Sequence, residues 1–415
     1  MSLVSTGFLN AIAVAMRLLA MLGLNKLLAI YVGPAGYAAL GQFQNAITMI
    51  TSFASGAINT GVTKYTAQYH DETAKQHRLW QTAGSISLAC TLLVSTFIAI
   101  FHRPLAGILL QDTNLGSVFL WLAATLILFV FNAFLLAVLN GKKAVGRYVI
   151  ANVSTSIITL LVTWLLSSVW GLYGALVALT INQSVVFFVT LALCMRTNWF
   201  RFSDLAGRID PQLARQLAQY GLMALVTAVA LPLSQMLIRD HLVSEFGWFY
   251  AGLWQAVTKI SDMYLMLITT TLTVYYLPRL SEISEPLQLR QEISKVYRFA
   301  LPAAAIGALF VYLLREWLVA LLFTQDFLPM LDLLAWQLIG DVVKIGSWVL
   351  GFVMLGRAMV RAYIITEVVF NFSLVGLTYS LTPWLGLKAA VIAFLINYLL
   401  YWLCIAIILK KTGYK

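Results

Sequence analysis

Eight ionisable side chains stand where an apolar chain has least use for them. Arg17, Lys26, Lys64, Lys259, Asp262, Asp341, Lys344 and Glu367 all lie within, or at the end of, long hydrophobic segments. A charge in hydrocarbon is costly, so such residues generally face a partner or a wet cavity. Lys259 and Asp262 are three apart, as are Asp341 and Lys344, so on a helix each pair shares a face and can partly neutralise itself. Two readings stay open: pairs that stabilise packing, or the charged wall of a central cavity. Both pairs lie in the second half of the chain, whereas the first half offers mainly Arg17, Lys26 and Lys64. Opposed walls with mobile cations would suit a diphosphate. Lys26 can also snorkel to an interface, and Lys64 stands either as a helix anchor or as a phosphate contact at an entrance.

Neutral polarity concentrates in one segment. Gln44, Thr48, Thr51 and Ser55 recur at intervals of three or four, with Ser52 and Asn59 beside them, and that stripe could line an aqueous cleft. No Gly-rich loop ending in Gly-Lys-Ser/Thr is present, so nucleotide hydrolysis is not expected. The four histidines show no zinc-site spacing, and no cofactor is expected. Cys90, Cys194 and Cys404 all sit in apolar segments, as small buried groups do.

The elements that position these residues are membrane helices. The 415 residues are 61% hydrophobic and 10% charged, with mean hydropathy +0.87, against about 25% charge in soluble domains. The net charge of +11 is too dispersed for a nucleic-acid partner. Twelve spans are predicted, at 8–30, 38–62, 79–101, 115–140, 147–168, 171–195, 216–238, 248–276, 297–314, 330–355, 360–380 and 385–409. With both termini cytoplasmic, nineteen of the 27 Lys and Arg residues fall on the cytoplasmic side, and four (Arg103, Arg239, Arg315, Lys388) on the other. Pro232 is the expected kink. SEISEPLQLRQEISK at 281–295 reads as a short amphipathic helix, and 104–110 and 318–323 as short interfacial helices.

The chain also repeats itself. GYAALGQFQNAITMITSFASGAINTGVTKY at 36–65 matches GWFYAGLWQAVTKISDMYLMLITTTLTVYY at 247–276 at an offset of 211, pairing Gly41 with Gly252 and Gln44 with Gln255. LNGKKAVGRYVIANV at 139–153 matches MLGRAMVRAYIITEV at 354–368 at an offset of 215. Two matches in the same order predict a duplicated bundle, all-α, with six-span lobes at 1–200 and 201–415 joined by the polar connection 196–215.

NKLLAIYVGPAGYAALGQFQN with GAINTGVTKYTAQYHD, GLWQAVTKISDMYLMLITTTLTVYYLPRLSE, and LLAWQLIGDVVKIGSW carry a family resemblance. The chain resembles the polysaccharide transporter branch of the multidrug/oligosaccharidyl-lipid/polysaccharide flippase superfamily. That resemblance implies twelve transmembrane helices in two lobes of the multidrug and toxin extrusion (MATE) type. It implies alternating access and movement of an undecaprenyl-pyrophosphate-linked oligosaccharide, nearest in type to the enterobacterial common antigen trisaccharide, across the bacterial inner membrane. It implies contact with membrane lipids and partnership with a polysaccharide polymerase and a chain-length regulator. It maps a cationic cavity onto Arg17, Lys26, Lys64, Lys259 and Lys344, with Asp262, Asp341 and Glu367 as acidic companions. Two rivals remain. A drug/cation antiporter would need acidic residues in the first lobe, where no Asp or Glu falls inside the six spans. A non-transporting scaffold for polysaccharide assembly is compatible with buried charge pairs.

Overall fold

Gly33 and Gly171 each break a helix that would otherwise be far too long for a bilayer. The computed structural model describes residues 3–283, 285–357 and 359–411; Lys415, counted above among the cytoplasmic cations, lies outside the described residues. Helix α1 (Leu3–Ala54) has 52 residues, and α6 (Val145–Met195) has 51. Unbroken, each would be roughly 75 Å long against a hydrocarbon thickness of about 30 Å. The turns are made by Gly33 (φ 62°), followed by Pro34, and by Gly171 (φ 55°). Positive φ is open to glycine and strained for residues with a Cβ.

The remaining elements follow in order: α2 (Asn59–Gln68), α3 (Thr73–Ile100), α4 (His102–Leu110), α5 (Gly116–Gly141), then after α6 come α7 (Pro211–Phe246) and α8 (Trp248–Thr271). A π-turn, Leu272–Tyr276, carries α8 into α9 (Leu277–Glu282), followed by α10 (Pro286–Leu313), α11 (Arg315–Leu322), α12 (Leu331–Gly356), α13 (Val360–Leu385) and α14 (Ala389–Lys411). Among the described residues, seven helical stretches are long and apolar enough to cross a membrane. With α1 and α6 divided at their glycines, the long helices match the twelve predicted segments in order.

Three boundaries differ from expectation. The second span is interrupted: α1 ends at Ala54 and α2 starts at Asn59. Helix α7 runs on past 238 to Phe246, where Gly247 (φ 86°) stops it, and Pro232 lies inside it. The amphipathic stretch 281–295 is no separate helix, because from Pro286, at a first-turn position, it continues into the ninth span as α10. Short helices do form at the two segments expected to be interfacial, as α4 and α11.

Two compact units result: residues 1–32 with 39–233, and residues 33–38 with 234–415. Their boundary falls inside α7, later than residue 200. The polar connection expected to tether the lobes docks on unit 1. His77 Nδ1 lies 2.8 Å from Asp204 Oδ1, Asp210 N donates to Thr82 Oγ1 (3.0 Å), and Ser85 Oγ donates to the Gly207 carbonyl (2.8 Å). Leu205, Leu213 and Leu217 then join the same core cluster as Trp80 and Phe134. Beside it, Lys142 Nζ donates to Gln76 Oε1 (2.9 Å) and lies against the rings of Trp80 and Trp199; burial there pushes its ammonium below the usual lysine range.

The duplication is legible in the backbone itself. Ala144 (φ −78°, ψ 58°) and Met359 (φ −78°, ψ 56°) are 215 residues apart and start α6 and α13 alike. Their amides reach back to Leu139 O (3.0 Å) and Met354 O (2.8 Å). Gly171 (φ 55°, ψ −129°) and Gly386 (φ 58°, ψ −139°), again 215 apart, end corresponding helices.

Helix α3 needs Gly84 to let the connection approach: a Cβ there would stand 1.9 Å from the Leu205 carbonyl oxygen. Gly84→Ala should therefore cost about 1–3 kcal/mol, as overpacking does, or displace 202–205. Thermal unfolding in detergent, with protease sensitivity of the 196–215 connection, measures both; wild-type values in each would show that the contact is not needed.

Candidate functional site

The sequence-predicted residues divide between the units. Arg17, Lys26, Gln44, Thr48, Thr51, Ser55, Asn59 and Lys64 belong to unit 1, and Lys259, Asp262, Asp341, Lys344 and Glu367 to unit 2. In unit 1, Arg17, Gln44, Thr48 and Lys64 are exposed, Lys26, Thr51 and Asn59 are half-buried, and Ser55 is buried. The hydroxyl stripe is largely spent on its own helix. Thr48 Oγ1 donates to Gln44 O (2.9 Å), Thr51 Oγ1 to Ile47 O (2.8 Å), and Ser55 Oγ to Ser52 O (3.1 Å). Such back-bonding bends helices, and it runs up to the break at 55–58. Lys64 Nζ lies 5.3 Å from the centre of the Tyr65 ring.

Unit 2 builds a denser arrangement on α12. Gln337, Asp341, Lys344 and Trp348 follow at intervals of four, three and four, forming one stripe. Asp341 is fully buried; Tyr264 of α8 donates its hydroxyl to Oδ2 (3.0 Å), and Gln337 donates to Oδ1 (3.1 Å). Lys344 is caged by rings instead of a carboxylate. Its Nζ lies 5.0 Å from the Trp348 ring centre, 5.7 Å from Phe394 and 5.8 Å from Tyr398. A cation over an aromatic face gains about 0.5–2 kcal/mol, more as water is excluded. The charges of Asp262, Asp341 and Glu367 act on it at longer range. Among the described residues no direct ion pair joins Lys344 to Asp341 or Lys259 to Asp262. Glu367 is held on α13 by Asn371, whose Nδ2 donates to Oε1 (3.5 Å) and to the Glu367 carbonyl (2.8 Å).

Glycines let α14 bring its rings in. A Cβ at Gly340 would stand 2.6 Å from the Phe394 ring, and one at Gly346 2.6 Å from Trp402. Trp402 Nε1 donates to Tyr297 OH (3.0 Å), which donates to Gly346 O (2.7 Å), fixing that approach.

One buried cation was misplaced by the sequence reading. Arg239, assigned to a loop, is fully buried within α7. It donates to Gln255 Oε1 of α8 and lies 5.4 Å from the Trp254 ring centre. Hydropathy falls at Arg239 and Asp240, which ended the predicted span. The signal that the helix continues is its terminator, Gly247. The ring cage and Tyr264 were also not foreseen, although the Lys344–Trp348 spacing of four was there to be read.

The duplication supplies an internal control. At the offset of 215, Gln337, Asp341 and Lys344 correspond to Leu122, Leu126 and Phe129 of α5. Leu122 and Leu126 are fully buried in unit 1. The same helical positions thus pack well with apolar side chains in one copy and carry a polar cluster in the other. The cluster is therefore not a requirement of the helix pair.

Chemically, this is a helical scaffold with a half-buried, ring-held ammonium on which three carboxylates act at longer range. A Vibrio cholerae MATE transporter superposes with TM-score 0.72 at 16% identity, covering 98% of this chain and 97% of that one. An inward-facing MATE family multidrug resistance transporter of the MOP superfamily superposes with TM-score 0.76 at 15% identity, covering 95% and 94%. The fold is that of the twelve-helix MATE transporters, and the protein is a multi-pass membrane protein. Residues 39–332 match the family described as polysaccharide biosynthesis protein, and the chain belongs to that family. It is 32% identical to proteins named lipid III flippase from Escherichia coli (strain K12) and Shigella flexneri, over 99% of each chain.

Two outcomes are expected. Replacing Gln337, Asp341 and Lys344 with their counterparts (Gln337→Leu, Asp341→Leu, Lys344→Phe) should leave the protein folded, with a melting temperature equal to or above wild type. Exchanging buried polar groups for packed apolar ones is often neutral or stabilising by about 1–4 kcal/mol. Aggregation of the triple variant would show the cluster to be structural. Separately, Gln255→Leu strips the buried Arg239 of an acceptor and should cost about 1–3 kcal/mol. Adding Arg239→Met should recover much of that loss in the same thermal assay; no recovery would mean that the two residues do not act as a pair.

Proposed function

We propose that the protein is a flippase that carries an undecaprenyl-pyrophosphate-linked oligosaccharide from the cytoplasmic to the periplasmic leaflet of the bacterial inner membrane by alternating access. The lipid III trisaccharide of enterobacterial common antigen is the leading candidate for its cargo. The observation that carries this reading is the 32% identity to the Escherichia coli lipid III flippase along 99% of both chains. The bias of Lys and Arg toward one side supports a cytoplasmic position for both termini. A polysaccharide polymerase and a chain-length regulator are the partners expected to take the product.

In this reading, the pyrophosphate meets cations that are held without a tight ion pair. Lys344 can leave its ring cage for a phosphate oxygen without breaking a salt bridge, and can return when the anion departs. Lys259, Arg17, Lys26 and Lys64 supply further positive charge, while Asp262, Asp341 and Glu367 keep the affinity moderate. Gln44, Thr48, Thr51, Ser55 and Asn59 offer a polar face to sugar hydroxyls. A carrier must release what it binds, so moderate affinity is the requirement.

The test is transport by the purified chain in proteoliposomes, with undecaprenyl-pyrophosphate-linked trisaccharide scored by a reagent confined to one side. Wild type should move the lipid, and Lys344→Ala should slow the initial rate about tenfold, equivalent to ~1.4 kcal/mol at the barrier. Lys344→Arg should retain part of the rate. Equal rates in wild type and Lys344→Ala would remove Lys344 from the path. No movement by folded wild type, with ion gradients imposed, would favour a scaffold.

A further inference from the structure

Unit 2 contains a cavity that none of the groups discussed so far uses. It has a volume of about 330 Å³ and is lined by Ile268, Thr271, Leu272, Tyr275, Tyr276, Lys295, Val296, Phe299 and Ala300. That size lies within the roughly 300–1,000 Å³ typical of ligand pockets. Its floor is apolar, with Ile268, Leu272, Val296 and Ala300 among its walls. Polar groups gather at one place: Lys295 Nζ donates to Tyr275 OH (3.3 Å), which donates to Glu292 Oε1 (3.2 Å).

The cavity has a local cause. Thr269, Thr271 and Thr273 bond back onto Met266, Leu267 and Thr269 carbonyls (3.2, 2.9 and 2.9 Å), loosening α8 just before the π-turn at 272–276. A π-turn inserts extra backbone and is often found at functional sites. Here it sets Tyr275 and Tyr276 side by side on the cavity. Tyr276 is fully buried, and its hydroxyl has no hydrogen-bond partner among the described residues. A buried hydroxyl left so is unfavourable until something accepts from it or donates to it.

The position along α10 identifies the occupant. Lys295 and Arg298 are exposed one turn apart, and residues 299–314 carry no charge. Exposed Phe299, Ile306, Leu309 and Phe310 continue the helix on the apolar side. The cavity thus lies where α10 passes from charged to purely apolar, the level at which a phosphate headgroup gives way to its acyl chain. We propose that it is a binding site for an anionic phospholipid: one acyl chain fills the slot, and the phosphodiester sits on Lys295. Glu292, through Tyr275, holds the ammonium at the mouth, and Tyr276 offers a hydrogen bond to the lipid's ester region.

The test is lipid retention, independent of transport. The full-length protein is purified from detergent micelles doped equally with phosphatidylglycerol and phosphatidylcholine, and bound lipids are counted by native mass spectrometry. Wild type should keep one phosphatidylglycerol in preference to phosphatidylcholine. Lys295→Ala should lower that preference about fivefold, the worth of one lysine at an anionic surface, and Lys295→Arg should restore it. Thr271→Trp, an exposed lining position that fills the slot without disturbing the core, should abolish retention while the melting temperature holds. Retention unchanged in Thr271→Trp but reduced in Lys295→Ala would mean surface attraction only, and would overturn the site. Displacement by equimolar undecaprenyl pyrophosphate would reassign the slot to the transported lipid. Equal retention in all variants would also overturn it.

Discussion

A backbone carbonyl in hydrocarbon has nowhere to turn except to its own chain or a neighbouring one. Two irregular stretches among the described residues show how that constraint is met. Where the chain breaks between α1 and α2, the Ala54 carbonyl accepts from Thr91 Oγ1 (3.1 Å), and the Ser55 carbonyl accepts from Ser87 Oγ (3.4 Å). Gly221 gives the Gly56 carbonyl room, since a Cβ there would come within 2.8 Å. At the π-turn after α8, threonine hydroxyls take up carbonyls of the preceding turn. Hydroxyls and small residues therefore mark the places where the helices depart from regularity. The polar stripe of residues 44–59 is as much a support for a broken helix as a surface for a ligand.

Charges obey a related rule. Taking two ions out of water costs several kcal/mol each, and a salt bridge recovers that only with good geometry. One buried and two half-buried cations here have amides and rings among their partners. Arg239 has Gln255 and Trp254, Lys344 has Trp348, Phe394 and Tyr398, and Lys142 has Gln76 with two indoles. The one fully buried carboxylate of this set, Asp341, takes its hydrogen bonds from a phenol and an amide. Neutral partners lower the cost of burial without consuming the charge. A carboxylate in contact would have satisfied Lys344 and left it little to offer an incoming anion.

The duplicated helical architecture was legible because it rests on local signals. Hydropathy marks helices, and the offset of 215 found in the letters recurs in the dihedrals of Ala144 and Met359. What escaped was tertiary. The docking of 201–210 onto α3 depends on His77, Ser85 and the missing side chain of Gly84, some 120 residues away. The burial of Arg239 depends on Gln255, and no window of hydropathy contains both. The ring cage needs Phe394 and Tyr398 from α14. The continuity of α10 failed for a different reason: its charged first turns read as a separate amphipathic helix at 281–295, while Pro286 opens one helix that runs straight into the apolar stretch.

The comparison between the two copies bears most directly on function. Duplicated helices share backbone geometry, so a position that is leucine in one copy and aspartate in the other reports what selection required beyond the fold. Leu122 and Leu126 close the core of unit 1 at no electrostatic cost. At the equivalent places of α12, Gln337 donates to Asp341, and Asp341 also accepts from Tyr264 of α8. Lys344 replaces a phenylalanine and requires three rings. Residues of α8 and α14 surround this cluster, whereas the leucines of α5 call for no polar partners. The stripe from Gln337 to Lys344 is thus where α12 departs from the apolar packing of its counterpart α5.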